Sequence, residues 1–188
     1  YGKQVKGDGG GALEINQQVG GRTIETVVTA RTGAEGNLNG VTVPNGTLTI
    51  NRTGGTDEAI YTHRVAVGST AGQGTLNITQ QTGGSTVYAT DLFEFHGPGS
   101  MIDIKKQGGT GFVFDLQQQK MDNATNATMR IDQTVGGSTY NIRGTAILSY
   151  TGHTNLIHIT RRVGASAPVF AYASGTTVAT GGSFVLNR

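Results

Sequence analysis

The stretch LNITQQTGG, Leu76 to Gly84, decides the fold because it recurs, slightly altered, along the whole chain. Its pattern is an apolar residue, any residue, Ile, any residue, a long polar residue, and a Gly pair six or seven positions after the first apolar one. The other copies are LEINQQVGG from Leu13, LTINRTGG from Leu48, IDIKKQGG from Ile102, MRIDQTVGG from Met129 and IHITRRVGA from Ile157, with a shortened copy, FVLNR, from Phe184. The Gly pairs begin at 20, 54, 83, 108, 136 and, with Ala as second member, 164. After a longer first interval the spacing settles at about 25 to 29 residues, the range in which internal repeats signal solenoids and arrays.

Each copy opens with a strand. In LEI, LTI, LNI, IDI, MRI and IHI the outer residues are apolar and the middle one is polar, which puts one set of side chains on a buried face and the other against water. The Gly pair supplies the positive φ of a tight turn. A second segment follows, rich in β-branched and aromatic residues: TIETVVTA, AIYTHRVAV, STVYATDLFEF, GFVFDL, STYNIRGTAILSY and PVFAYAS. No segment longer than about ten residues carries a 3.6-residue period. The fold class is all-β, built from about six strand-GlyGly-strand units of 25–29 residues.

Two architectures satisfy this pattern. Either each repeat is one coil of a β-solenoid with its Leu-x-Ile strands stacked in parallel, or each Gly pair tips an antiparallel hairpin of a sandwich or barrel. The solenoid is favoured. Its first strand is the more uniform of the two, as strands that pair with their own copies must be. In addition, Gln17, Arg52, Gln80, Lys106, Gln133 and Arg161, each two residues after the Ile, can line up as a ladder along one face. The length of the second segment, by contrast, suits a hairpin arm.

The composition narrows the function classes. Charged residues make up 14 %, there are 31 Gly and no Cys, and the net charge is +2 with its Lys and Arg dispersed. A nucleic-acid partner is not expected, since that needs a basic stripe. Disulfides, thiolate metal sites and a cysteine nucleophile are excluded. No apolar run approaches the length of a membrane-spanning helix, and a start at Tyr1 with no initiator Met reads as a processed, secreted chain.

No catalytic constellation emerges. The four histidines, His63, His96, His153 and His158, show no ligand spacing, so no metal or other cofactor is expected. The acidic pairs Asp57/Glu58 and Asp91/Glu94 read as solvated charge rather than a glycosidase couple. Asp122, Asn123 and Asn126 share a loop but no calcium-binding pattern. Five Asn-x-Ser/Thr sequons, at Asn45, Asn51, Asn77, Asn123 and Asn126, are candidate glycan acceptors, with the loop pair Asn123 and Asn126 the best placed.

The termini carry the remaining expectation. Residues 1–11 read as a flexible segment, a short strand-like piece bearing Tyr1 and Val5 on a Gly7–Gly11 tether, ahead of a single repeat domain over 12–188. At the other end, the strand with Phe184 and Leu186 leaves an edge that only Arg188 guards. The N-terminal piece of one subunit is thus a candidate donor strand for the open edge of another.

The element apolar-x-Ile-x-Gln followed by a Gly turn resembles the repeat of curlin subunits, the building blocks of curli fibres. Leu13, Ile15, Gln17, Gly20 and Gly21 carry the likeness, as do Leu76, Ile78, Gln80, Gly83 and Gly84, and Met129, Ile131, Gln133, Gly136 and Gly137. The period here is longer, Thr or Ser stands where the family has Asn after the turn, and the second strand lacks the family's internal Gln. The resemblance implies a secreted subunit that polymerises through its strand edges. The expected function is therefore a non-enzymatic, self-assembling extracellular filament subunit, whose partner is itself. The alternatives are a secreted carbohydrate-binding or adhesive module, and a viral tail or decoration protein.

Overall fold

The computed structural model describes residues 4–6, 10–26, 40–116, 119–121, 126–142, 147–150, 156–162, 170–171, 175–178 and 183–187. Strands β1 (Gln4–Lys6), β2 (Ala12–Gln17), β3 (Ile24–Glu25), β4 (Gly40–Val43), β5 (Gly46–Arg52) and β6 (Ile60–Val67) come first. They are followed by β7 (Gly74–Gln80), β8 (Val87–Phe95), β9 (Met101–Lys106), β10 (Phe114–Leu116), β11 (Gln119–Met121) and β12 (Thr128–Gln133). The last are β13 (Tyr140–Ile142), β14 (Ile147–Tyr150), β15 (Leu156–Arg161), β16 (Phe170–Ala171), β17 (Gly175–Val178) and β18 (Ser183–Asn187).

Among the described residues all the strand pairings are parallel, and the fold is a β-solenoid. The Leu-x-Ile strands form a seven-stranded sheet in the order β18-β15-β12-β9-β7-β5-β2, each coil adding one strand. Its register is unbroken: Leu13, Leu48, Leu76, Ile102, Met129, Ile157 and Phe184 form one column, and Ile15, Ile50, Ile78, Ile104, Ile131, Ile159 and Leu186 the next. Ile50, Ile78, Ile104, Ile131 and Ile159 are all buried. Each contributes about 1.5–3 kcal/mol through removal from water.

The second segment of each repeat forms the opposing sheet, and it has two arms. In the middle coils the arms are continuous, as β6 and β8. On either side they divide, β6 pairing with both β3 and β4, and β8 with both β10 and β11. This explains why the second segment has the length of a hairpin arm without forming a hairpin. The inner face carries the column Ile60, Val87, Phe114, Tyr140, with Phe114 edge-on to Phe93 at 5.0 Å and stacked on Tyr140 at 5.1 Å. The Tyr140 hydroxyl donates to the Met129 sulfur at 3.2 Å, tying the two sheets together.

The N-terminal piece does not stand apart from this stack. Strand β1 pairs in parallel with β4 of its own chain, Val5 opposite Val41, so it acts as a further rung of the outer arm. Gly10 is fixed as well, its N–H donating to the Asn45 carbonyl at 3.1 Å.

On the outer face of the Leu-x-Ile sheet, Asp103 lies opposite Arg130 and Lys105 opposite Asp132. Unlike charges side by side reinforce the register, since any slip would bring like charges together or bury them.

The turns hold the coils close. Gly83 has φ +96°, a conformation that L side chains resist. Gly108 is needed for a different reason: a Cβ there would lie 1.6 Å from the Gln81 carbonyl oxygen of the preceding coil. Gly108→Ala is therefore expected to cost about 3 kcal/mol in urea denaturation, by forcing two backbones apart. Gly84→Ala, whose nearest neighbour would be 3.5 Å away, should cost less than about 1 kcal/mol.

Candidate assembly interface

The polar position two residues after the Ile points into the solenoid. Side-chain parity requires it, because Leu76, Ile78 and Gln80 project to the same face of one strand. Arg52, Gln80, Lys106 and Gln133 are fully buried and Arg161 nearly so. The column reads Gln17, Arg52, Gln80, Lys106, Gln133, Arg161, an alternation of amide and cation.

Each member has a defined task. The Gln80 amide donates to the carbonyls of Thr82 at 2.8 Å and Gly84 at 3.1 Å, while its oxygen accepts from the Thr86 hydroxyl at 2.5 Å. Gln133 repeats this with Val135, Gly137 and Thr139, and Gln17 with Val19, Gly21 and Thr23. Every amide thus closes its own turn. The cations reach back to the preceding coil: Arg52 to the Gly21 carbonyl at 2.7 Å, Lys106 to Gly84 at 2.7 Å and Arg161 to Gly137 at 3.1 Å. One carbonyl therefore accepts from its own glutamine and from the next coil's cation, which bolts the coils together in pairs.

This arrangement is costly for the cations. Burial, with the Arg52 charge as a second cause, pushes the Lys106 ammonium down to about 8. Burial also lowers Arg52, and the Asp57 and Glu58 charges oppose that shift.

Among the described residues no further strand covers the columns at either end of the Leu-x-Ile sheet. Strand β2 forms one edge, with Leu13 46 % exposed, and β18 the other, with Leu186 37 % exposed. Next to β2, Val19 projects from the turn at 80 % exposure. Both are parallel edge strands with main-chain groups facing away from the stack. Of the four residues expected at an assembly contact, Leu186 and Phe184 lie on such an edge strand, β18, which also pairs with β15 of its own chain. Val5 lies on β1, already paired within the chain, and Tyr1 falls outside the described residues. Leu13 and the β2 edge were not singled out from the sequence, because an apolar residue of the first repeat reads like any other copy.

The remaining candidates have local roles. His63 meets the Thr90 hydroxyl at 2.7 Å and His158 the Asn187 side chain at 2.8 Å; His153 lies outside the described residues. The expectation of solvated acids fails at two positions. Glu94 is only 8 % exposed, paired with Arg64 and 3.7 Å from His96, and Glu58 pairs with Arg22 at 3.0 Å. Although burial alone raises the Glu94 carboxyl, His96 and Arg64 outweigh it and hold the group below its usual range. Among the described residues no cluster of three or more His, Asp or Glu is placed to hold a metal, and no helix is long and apolar enough to cross a membrane. Asp122 and Asn123 lie outside the described residues.

Of the sequon residues, Asn45 is exposed in the β4–β5 turn, and Asn126 is exposed with φ 55°. Asn51 donates to Glu14 and Asn16 at 3.0 Å, and Asn77 donates to Thr49 at 3.4 Å, so these two amides already have partners on the outer face. As for an aromatic sugar platform, the ring of Tyr61 is stacked on Tyr88 at 4.9 Å, with the Arg22 guanidinium 3.8 Å over the ring. Neither face of Tyr61 is left for a sugar.

No known family, no characterised protein and no solved structure matches this chain.

Proposed function

We propose that this protein is a non-catalytic structural subunit that assembles end to end into a filament, the β2 edge of one copy pairing with the β18 edge of the next. The observation that carries the reading is the pair of open edges, complementary in register. A parallel β2–β18 pairing would set Leu13 beside Phe184 and Ile15 beside Leu186, continuing both apolar columns from one copy into the next. Main-chain hydrogen bonds would supply much of the affinity, and the contact is heterologous, so repetition gives a fibre rather than a closed ring. The curlin-like repeat pattern supports the same reading, and with it a secreted, extracellular location. Glycans on exposed sequons such as Asn45 and Asn126 would then coat the fibre. Since β1 occupies the outer arm of its own chain, the N-terminal segment is not required as donor.

The test is negative-stain electron microscopy beside size-exclusion chromatography over a concentration series. Filaments of uniform width are expected from the unmodified chain. Leu13→Lys should leave the circular dichroism spectrum unchanged and stop growth, because a charge would be buried at every junction. A chain that stays monomeric at high concentration overturns the proposal.

A further inference from the structure

The pair Tyr61 and Tyr88 lies on the outer face of the two-armed sheet, on adjacent coils and directly opposite each other in a parallel register. The ring centroids are 4.9 Å apart with the planes only 16° from parallel, and both side chains are partly exposed. Two phenols held face to face at a surface are set up for one reaction in particular. We propose that Tyr61 and Tyr88 form an oxidative cross-linking site, joined as a dityrosine when a peroxidase and hydrogen peroxide supply the oxidising equivalents.

The chemistry balances. Each phenol loses one electron and its hydroxyl proton, giving a tyrosyl radical whose unpaired spin is shared with the ring carbons ortho to oxygen. The two radicals couple by one new carbon–carbon bond between ortho carbons. Each of those carbons then releases its hydrogen as a proton while the oxygen regains one, restoring both aromatic rings. The pair loses two electrons and two protons in all, and one hydrogen peroxide takes them up to become two waters.

Position makes the step selective. Radical coupling in solution waits for a collision, whereas here the backbone pairing of β6 and β8 keeps the partners in contact throughout, which raises their effective concentration by orders of magnitude. The far face of Tyr61 lies under Arg22, itself held by Glu58 at 3.0 Å and Glu25 at 2.7 Å, so Tyr61 is presented to Tyr88 and not to a second molecule. Tyr140, by contrast, is fully buried beside Phe114 and is shielded from the oxidant. A bond at 61–88 would staple two neighbouring coils on the face away from the Leu-x-Ile edges.

The experiment is oxidation of the dilute folded chain with horseradish peroxidase and hydrogen peroxide, followed by denaturation, trypsin digestion and mass spectrometry. Cleavage after Arg64 separates the two tyrosines, so the cross-link appears as peptide 53–64 joined to 65–105 with the loss of two hydrogens. It should be the dominant dityrosine product. The same oxidation of the chain unfolded in guanidinium chloride should lower its yield by about tenfold or more. Tyr88→Phe, which removes one hydroxyl and leaves the ring to stack, should abolish it while the circular dichroism spectrum is unchanged. A folded, oxidised chain that lacks this linked peptide, or yields no more of it than the unfolded chain, overturns the assignment.

Discussion

Between pH 8 and 10.5 the folded chain should gain about 3 kcal/mol of stability from one side chain, and Lys106→Met should lack that gain. The sign follows from the proton count. Lys106 is fully buried and its folded-state value is pushed from 10.5 down to about 8, while in the unfolded chain it keeps the ordinary value. Through the window from about 8 to 10.5 the unfolded state therefore holds a proton that the folded state has released, and stability rises with pH. Below about 8 both states are protonated, and the penalty of the buried ammonium is present in full. Other groups titrate in the same range, so the quantity to measure is the difference between wild type and Lys106→Met in urea denaturation at successive pH values. At pH 7 the variant is expected to be at least as stable as the wild type. It loses the hydrogen bond to the Gly84 carbonyl, but Gln80 still serves that oxygen, and a buried charge is removed. Its advantage should then disappear as the pH rises toward 10.5. Parallel pH profiles for the two proteins would show that the Lys106 proton does not distinguish the folded from the unfolded state.

Gln80→Leu is expected to cost about 3 kcal/mol, although an apolar side chain of similar size takes the place of a buried polar one. The glutamine, itself fully buried, closes its turn through two donated bonds and one accepted bond, the last between two buried side chains. Without it the Thr82 carbonyl and the Thr86 hydroxyl lose these partners, each at a cost of about 1–3 kcal/mol. Gly84 is spared because Lys106 also reaches it. Adding Thr86→Val to Gln80→Leu should recover about 1 kcal/mol, since a buried hydroxyl without its acceptor is replaced by a methyl of the same shape. A double-mutant cycle in urea checks this; strictly additive losses would mean that the Thr86 hydroxyl finds another acceptor.

The Gly spacing and the period-two alternation were enough to read an all-β repeat, and the uniformity of the first strand favoured the solenoid over hairpins, because a strand that must pair with its own copies is constrained at every rung. Burial of the Gln and Lys/Arg column was legible in principle. Leu, Ile and Gln at positions 76, 78 and 80 share one parity, and the polar residue had to follow the apolar pair inward. A second signal lay six residues further on, where Thr23, Thr86 and Thr139 follow the glutamines while Glu58 and Phe112 follow Arg52 and Lys106. That correlation separates the turns with an amide from those with a cation. The fate of residues 4–6 was less accessible. A three-residue strand beyond five residues rich in glycine has no periodicity, and only the presence of β4 as a template decides where it pairs. The β2 edge escaped notice for a related reason: exposure at the end of a stack depends on what lies beside a strand, which its own residues do not encode.

Because the amide closes its own turn and the cation reaches back to the coil before it, the hydrogen-bonding period of this molecule is two repeats long. Gain or loss of one repeat between Gln17 and Arg161 would set two amides or two cations in succession, so that a turn carbonyl would keep only its own glutamine or a cation would reach back to a turn that has none. A designed extension should therefore copy residues from one glutamine of the column to the next, as from Gln80 to Gln133.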